Sequence, residues 1–186
     1  MNPLFASAHS LQAFFQGKGW RFCFIGGLAV QRWGEPRLTL DVDATVLTGF
    51  GGEAAVIDEL LAAFPGRVPD AGAFALRSRV LLLNGPLGVP ADIALGALPF
   101  EQRCVERATP FAIGSDQTIL TCSADDLIVL KAFAGRPRDW LDIEGIVLRQ
   151  GAALNQAQIL EEVTPLLALK DDEVSGPRLA HLLESR

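Results

Sequence analysis

Two glycines and two aspartates carry the clearest chemistry in this sequence. Gly26 and Gly27 follow an apolar segment, and Asp41-Val42-Asp43 comes after thirteen further residues. Side chains alternate along a β-strand, so Asp41 and Asp43 are expected on one face while Val42 enters the core. Paired carboxylates suit Mg²⁺, which also takes phosphate oxygens and water, and glycines let backbone N–H groups approach an anion. The two halves together predict a site for a metal ion and a triphosphate.

Asp92 and Lys131 are charged residues at positions where packing alone favours apolar ones. Asp92 lies within the apolar segment 89–95, and it can be a third metal ligand if that segment forms a strand beside the Asp41 strand. Lys131 shares a helical apolar stripe with Leu127, Leu130 and Ala134. A buried lysine needs an anionic partner, which a triphosphate or an acidic side chain would supply.

A third group of charges lies near these candidates in the sequence. Asp139 and Asp142 begin the next predicted helix, where capping and the helix dipole give Asp139 a purely structural explanation. Asp142 is expected to orient Lys131 or to contact the nucleotide or the acceptor. Arg32 and Arg37 flank the predicted metal-bearing strand, and Arg37 is expected to contact the nucleotide.

Composition excludes several other classes of protein. The 186 residues are 49% hydrophobic and 20% charged, as in a folded globular protein, and no apolar run approaches a membrane span. The N-terminus lacks the features of a signal peptide, so a cytoplasmic protein with reduced cysteines is expected. The two histidines are isolated and have no cysteine neighbours at zinc-site spacing, which disfavours Ser–His and Cys–His hydrolases. A net charge of −6 disfavours non-specific coating of nucleic acid.

The elements that must position these residues follow from hydrophobic periodicity and turn signals. The pattern predicts an α/β core over residues 1–121 and a C-terminal helical region over residues 122–186. Strands are predicted at 22–25, 39–47, 74–83 and 89–95, with one or two short strands within 111–121. Helices are predicted at 4–16, 28–33, 53–64, 123–134, 138–149, 155–169 and 176–183, and residues 99–107 form a short helix or a loop.

At these residues the chain resembles the nucleotidyltransferase superfamily that includes DNA polymerase β. The superfamily pattern is a hydrophobic strand, Gly-Gly or Gly-Ser, a short spacer, Asp-x-Asp or Asp-x-Glu, and a later single acidic residue. Gly26-Gly27, Asp41-Val42-Asp43 and Asp92 match it here. Within the superfamily the chain is most similar to the AbiEii/AbiGii toxin group, through the segments RLTLDVD at 37–43, DLIVLK at 126–131 and RDWLDI at 138–143.

The resemblance implies a mixed sheet flanked by helices, with a C-terminal helical segment packed on the core. It also implies transfer of a nucleoside monophosphate from an NTP to an acceptor hydroxyl, with two Mg²⁺ ions as cofactors. Asp41 and Asp43 would hold both ions, and Asp92 would hold the catalytic one and accept the acceptor's proton. Gly26 and Gly27 would cradle the phosphates, and Lys131 would neutralise their charge.

The acceptor stays open among three alternatives. A toxin-like enzyme would modify a tRNA or another macromolecule and would have an antitoxin protein as a partner. A small-molecule enzyme would modify an acceptor such as an aminoglycoside, and an acidic protein suits a cationic acceptor. A non-catalytic member would bind nucleotide or a protein. Leu28 replaces the serine that many superfamily members have beside the glycines, and the chain is short for the toxin group.

Overall fold

The computed structural model describes residues 2–114 and 116–184 of the chain. Its residues cluster into two compact units. The first unit comprises Met1–Leu28 and Leu38–Cys122, and the second comprises Ala29–Arg37 and Ser123–Arg186. Among the described residues, no helix combines the length and the apolar character that crossing a membrane requires.

The first unit contains the described strands together with helices, and the second contains helices. The strands are β1 (Phe22–Phe24), β2 (Val42–Leu47), β3 (Val80–Asn84), β4 (Pro90–Gly96), β5 (Thr109–Ala112) and β6 (Thr118–Thr121). The helices are α1 (Pro3–Gly17), α2 (Gly26–Trp33), α3 (Glu53–Ala63), α4 (Ala71–Ser78), α5 (Pro99–Glu106), α6 (Ala124–Ala134), α7 (Pro137–Gln150), α8 (Gln156–Ala168) and α9 (Ser175–Glu184). Short 3₁₀ turns occupy Pro86–Gly88 and Gly151–Ala153.

The six described strands form one mixed sheet in the order β3-β4-β2-β1-β6-β5. β2 runs parallel to β4, and β1 runs parallel to β6, whereas the remaining neighbours are antiparallel. In the β2–β4 register Asp43 lies directly opposite Asp92. The strand that carries Asp92 therefore does pair beside the strand of the Asp-x-Asp segment, as a three-carboxylate cluster requires.

One face of this sheet packs into the main apolar core. Val42, Ala44 and Val46 of β2 are fully buried there, together with Leu11 and Phe15 of α1. Because side chains alternate along a strand, the intervening Asp43 and Thr45 belong to the opposite face. The packing of Val42, Ala44 and Val46 into this core thus fixes which face of β2 carries the carboxylate.

The sequence-based prediction of a strand over residues 74–83 is wrong for its first half. Residues 71–78 form α4, whose Ala71 and Ala75 are buried one helical turn apart. The helix ends at Arg79, which adopts the left-handed conformation with φ 57°, and β3 begins at the next residue. The apolar run therefore contains a helix and a strand, and apolar character alone does not separate the two.

The strand predicted over residues 39–47 begins at Val42, three residues after its predicted start. Asp41 therefore lies in a bend just before β2. The pairing of β2 with β4 begins at Val42 opposite Ala91. Pro90 precedes Ala91 and has no N–H with which to extend a ladder. Asp41 is therefore positioned by a turn rather than by strand alternation.

The second unit is helical, and its helices α6 and α8 begin at side-chain caps that the sequence predicts correctly. The Ser123 hydroxyl accepts a hydrogen bond from the Asp126 amide at the start of α6, and the Asn155 side chain accepts one from Gln158 at the start of α8. α6 packs against α7, α8 and α9. The buried residues of these helices include Leu127, Ile128, Ile143, Ile146, Ile159, Val163 and Leu179.

Replacing Phe15 tests the core of the first unit. Its ring is fully buried and lies 5.0 Å, centroid to centroid, from that of Phe22. We expect Phe15→Ala to lower the free energy of unfolding by about 3–5 kcal/mol, because the cavity adds to the lost transfer energy. Urea denaturation followed by circular dichroism measures the change. Leu76→Ala is the control, since Leu76 is 55% exposed; equal losses in the two variants would contradict this account of the core.

Candidate functional site

Three carboxylates converge at the start of β2 and β4. One oxygen of each of Asp41, Asp43 and Asp92 lies within 4.8 Å of the other two, and all three residues are partly buried. Asp43 and Asp92 are brought together by the strand register, and Asp41 by the bend before β2. Three hard oxygen donors at such spacing match the ligand preference of a divalent cation such as Mg²⁺ or Mn²⁺.

The electrostatics of the cluster also fit a cation. Burial raises the pKa of Asp92, the Arg67 guanidinium opposes that shift, and the negative charge of Asp41 adds to it. The net effect is a pKa above the ordinary value of 3.8. Carboxylates that repel one another in a partly desolvated site are stabilised when a cation binds between them. The residues present therefore fit a metal ion.

The glycine turn is shaped around Asp43. Gly26 has φ +56°, and a Cβ atom there would lie only 2.0 Å from Oδ2 of Asp43. The Gly27 amide donates a long hydrogen bond of 3.4 Å to the same oxygen, at the N-terminus of α2. A Cβ atom on Gly27 would lie 2.2 Å from Oγ1 of Thr39. Both glycines are thus required by close approach to the segment that carries the aspartates.

Two residues that sequence reasoning did not single out contact the carboxylates. The Thr39 hydroxyl donates to Oδ1 of Asp41 at 3.0 Å, which holds the bend before β2. Arg67 donates from its guanidinium to Oδ1 of Asp92 at 2.5 Å. A threonine two residues before an aspartate is a local sequence signal for such a hydrogen bond. Arg67 lies 25 residues from its partner, and no local sequence signal connects the two.

Lys131 lies in an ionic network within the second unit. Its Nζ is 2.9 Å from Oδ1 of Asp139 and 2.7 Å from Oδ2 of Asp142. Arg37 donates to both oxygens of Asp142, at 2.7 and 2.8 Å, and Arg136 donates to Asp139 at 2.7 Å. The lysine side chain is only 7% exposed. The anionic partners of the buried Lys131 are therefore acidic side chains.

The same contacts set the protonation of the two aspartates. Burial alone would raise the pKa of Asp142, but hydrogen bonds from Arg37 and Lys131 outweigh it and hold the pKa below the ordinary 3.8. Burial likewise acts against hydrogen bonds from Arg136 and Lys131 at Asp139, whose pKa is also lowered. Both aspartates are therefore ionised at neutral pH.

Comparisons with known proteins bear on the fold of this chain. The sequence matches no family model and no curated protein. A crystal structure of an antigenic nucleotidyltransferase-like protein from Paracoccidioides brasiliensis is similar, with a TM-score of 0.57 and 20% identity over 100% of this chain and 94% of that one. The chain has a nucleotidyltransferase-like fold. The solution structure of the antibiotic-resistance factor ANT(2'')-Ia is also similar, with a TM-score of 0.51 and 16% identity over 95% of each chain.

The nucleotidyltransferase-like fold confirms the predicted fold class of a mixed sheet flanked by helices. Within it, the first unit brings together the predicted metal ligands Asp41, Asp43 and Asp92 beside Gly26 and Gly27. The second unit brings together Lys131, Asp142 and Arg37, which were predicted to serve the nucleotide. The roles assigned to these residues, and the resemblance to the toxin group, remain predictions.

Gly26→Ala tests the fit of the glycine turn to Asp43. The added Cβ must displace the Asp43 carboxylate, so we expect Mn²⁺ affinity to fall about tenfold or more, as for disrupted support of a metal ligand. Gly19→Ala is the matched control, because Gly19 has φ +68° with nothing within 4 Å of the added Cβ. Isothermal titration measures Mn²⁺ affinity, and thermal unfolding measures the strain that both variants share. Unaltered Mn²⁺ binding by Gly26→Ala would contradict the account.

Lys131→Met tests the ionic network. We expect a loss of about 3 kcal/mol of stability at pH 7, because the substitution leaves two buried carboxylates without their shared cation. Both carboxyl pKa values are lowered in the folded protein, so this stabilisation is present above pH 3.8 and is lost as the pH falls through the lowered values. The difference between wild type and variant should therefore shrink in acid.

Chemical denaturation at a series of pH values measures this difference. Lys18→Met is the control, since the Lys18–Glu59 pair is 40% and 44% exposed and should contribute at most about 1 kcal/mol. A variant as stable as wild type at pH 7 would show that the network does not stabilise the second unit.

Proposed function

We propose that this protein is a metal-dependent nucleotidyltransferase that moves a nucleoside monophosphate from an NTP to an acceptor hydroxyl. The observation that carries the proposal is the convergence of Asp41, Asp43 and Asp92 within 4.8 Å, beside a glycine turn, in a nucleotidyltransferase-like fold. The fold alone indicates a class of proteins and does not locate a reactive site. The three carboxylates add a site at which the chemistry of that class can take place.

Asp41, Asp43 and Asp92 are proposed to hold two Mg²⁺ ions. Such ions would supply charge neutralisation at the phosphates and activation of the attacking oxygen. Asp43 is held in position by the strand register and by the N-terminus of α2, and Asp41 by Thr39. These supports fix the carboxylate oxygens before substrate binds, which is the protein's main contribution to such a reaction.

In the proposed reaction the acceptor oxygen attacks the α-phosphorus of the NTP, and the bond from that phosphorus to pyrophosphate breaks. The acceptor's O–H bond also breaks, and Asp92 is the residue proposed to take its proton. The position of Asp92 supports this role, because its carboxylate lies within 4.8 Å of the other two proposed ligands and so beside the point where the acceptor oxygen would react. Pyrophosphate is the leaving group, and ions held by the three aspartates would neutralise its charge.

The nucleotide-binding roles of Gly26, Gly27, Lys131, Arg37 and Asp142 are proposals from the sequence. The contacts of Lys131 favour an indirect role, because its ammonium group already lies between two aspartates and is 7% exposed. Arg37 is more accessible than Lys131, with 25% of its side chain exposed. Direct contact with phosphate is therefore better supported for Arg37 than for Lys131.

A small cationic molecule is the acceptor that the protein's charge favours. The net charge of −6 attracts a cationic acceptor and repels nucleic acid. The similarity to an antibiotic-resistance factor over 95% of both chains supports the same alternative, an aminoglycoside-type acceptor. The toxin-like alternative, in which a tRNA or another macromolecule is modified and an antitoxin binds the enzyme, rests on the sequence resemblance.

Label transfer tests the proposed function. The protein is incubated with each α-³²P-labelled NTP, Mg²⁺ and either an aminoglycoside panel or total tRNA, and the labelled product is identified. We expect Asp41→Asn and Asp43→Asn to abolish transfer while the fold is retained. Asp58→Asn is the control, because it removes one exposed carboxylate from α3 and should transfer normally.

The destination of the label distinguishes the alternatives. Label on an aminoglycoside supports the small-molecule enzyme, and label on tRNA supports the toxin-like enzyme. Transfer that persists in both aspartate variants would disprove the proposed metal site. Nucleotide binding without transfer to either class of acceptor would support a non-catalytic role.

A further inference from the structure

Arg67 reaches the metal ligands from a segment fixed to the edge of the sheet. Its backbone N–H donates to the carbonyl of Leu82 at 2.9 Å, and the carbonyl of Pro65 accepts from the Asn84 amide at 2.8 Å. Gly66 forms a bridge with Leu83. A Cβ atom on Gly66 would lie 2.6 Å from Cβ of Ala71, so the close approach requires glycine. The backbone beneath Arg67 is therefore held along β3.

The side chain of Arg67 crosses β3 to reach Asp92 on the next strand. Leu82 lies directly opposite Asp92 in the β3–β4 register. Adjacent strands are about 4.8 Å apart, so the guanidinium must extend across about two strand spacings from its own backbone. Only a long side chain spans that distance. Its contact with Oδ1 of Asp92 is thus a product of the fold rather than a chance encounter of two surface charges.

Arg67 and a metal ion would use the same carboxylate. The guanidinium donates to Asp92, one of three residues whose oxygens lie within 4.8 Å of one another. A positive charge on that carboxylate competes for its oxygens and repels a divalent cation. The pair is also accessible, because the side chains of Arg67 and Asp92 are 31% and 28% exposed. The guanidinium can therefore rotate into solvent without opening the core.

We infer that Arg67 is an internal counter-cation of the carboxylate cluster, which holds Asp92 until a divalent metal ion displaces it. The inference rests on the proposed metal site and adds a competition to it. Arg67 is a positioning residue in this scheme, because it acts through Asp92. The competition keeps the three aspartates partly neutralised in the free protein and weakens the binding of metal alone.

The opposite role for Arg67 would be to orient Asp92 as a ligand. The two roles predict opposite signs when the guanidinium is removed. A counter-cation suppresses metal binding, so its loss tightens binding. An orienting residue supports metal binding, so its loss weakens binding. Metal affinity therefore separates the two roles without any measurement of enzyme activity.

The test is titration of the full-length protein with Mn²⁺ alone, with free Mn²⁺ followed by electron paramagnetic resonance. We expect Arg67→Met to tighten Mn²⁺ binding about tenfold, a value discounted for the partial exposure of the pair. Arg67→Lys, which keeps the charge and loses the planar guanidinium, should lie between Arg67→Met and wild type. Asp92→Asn should weaken binding, and adding Arg67→Met to it should then have little further effect.

Arg21→Met is the matched control. It removes one arginine from an ion pair of the same unit, at the end of β2 remote from Asp43, since the Arg21 carbonyl accepts from the Leu47 amide. Its Mn²⁺ affinity should stay within about twofold of wild type, because charges of this exposure are strongly screened. Thermal unfolding verifies that each variant is folded.

The outcomes separate the inference from the proposed function. Tighter Mn²⁺ binding in Arg67→Met alone supports the inference. Equal or weaker binding in Arg67→Met, with wild type binding Mn²⁺ through Asp92, overturns the inference and leaves the metal site standing. Absence of Mn²⁺ binding in wild type and in Arg67→Met overturns the metal site, and the inference with it.

Discussion

The parallel pairing of β2 with β4 is the constraint on which the candidate site depends. It places Asp43 directly opposite Asp92, and like charges opposite one another destabilise a sheet. The apolar residues on the other face hold the register nonetheless, because a slip of β2 by one residue would expose Val42 and Ala44 and turn Asp43 into the core. The same alternation that builds the core therefore forces the negative charges together.

Neighbouring groups offset part of that repulsion. The N-terminus of α2 lies beside Asp43, where the helix dipole favours an anion, and Arg67 contacts Asp92. Burial still raises the pKa of Asp92, so these groups do not fully offset the cost of a charge at this position. A sheet with apolar or amide side chains at these positions would avoid that cost. The acidic cluster is thus a feature that structural stability alone would not select.

The sequence predicts the parts of this arrangement that depend on local patterns. The glycine turn, the burial of Val42 and the capped helices at Ser123 and Asn155 all reflect interactions between residues close in the chain. The helix at Ala71–Ser78 was missed because it is short and runs directly into an apolar strand. The late start of β2 depends on its partner strand, which periodicity within β2 does not reveal.

The partners in the charged contacts cannot be predicted from local sequence patterns. An apolar stripe around Lys131 predicts a buried ammonium group and hence an anion, and this requirement holds whichever anion is present. The anions are Asp139 and Asp142, and two arginines complete the network. Burial and charge balance thus predict that a partner exists, whereas only the fold selects it. Arg67 and Asp92 illustrate the same limit, because their contact depends on how the segment before α4 runs along β3. A cation directed at a predicted metal ligand is therefore evidence about the site that composition and spacing could not supply.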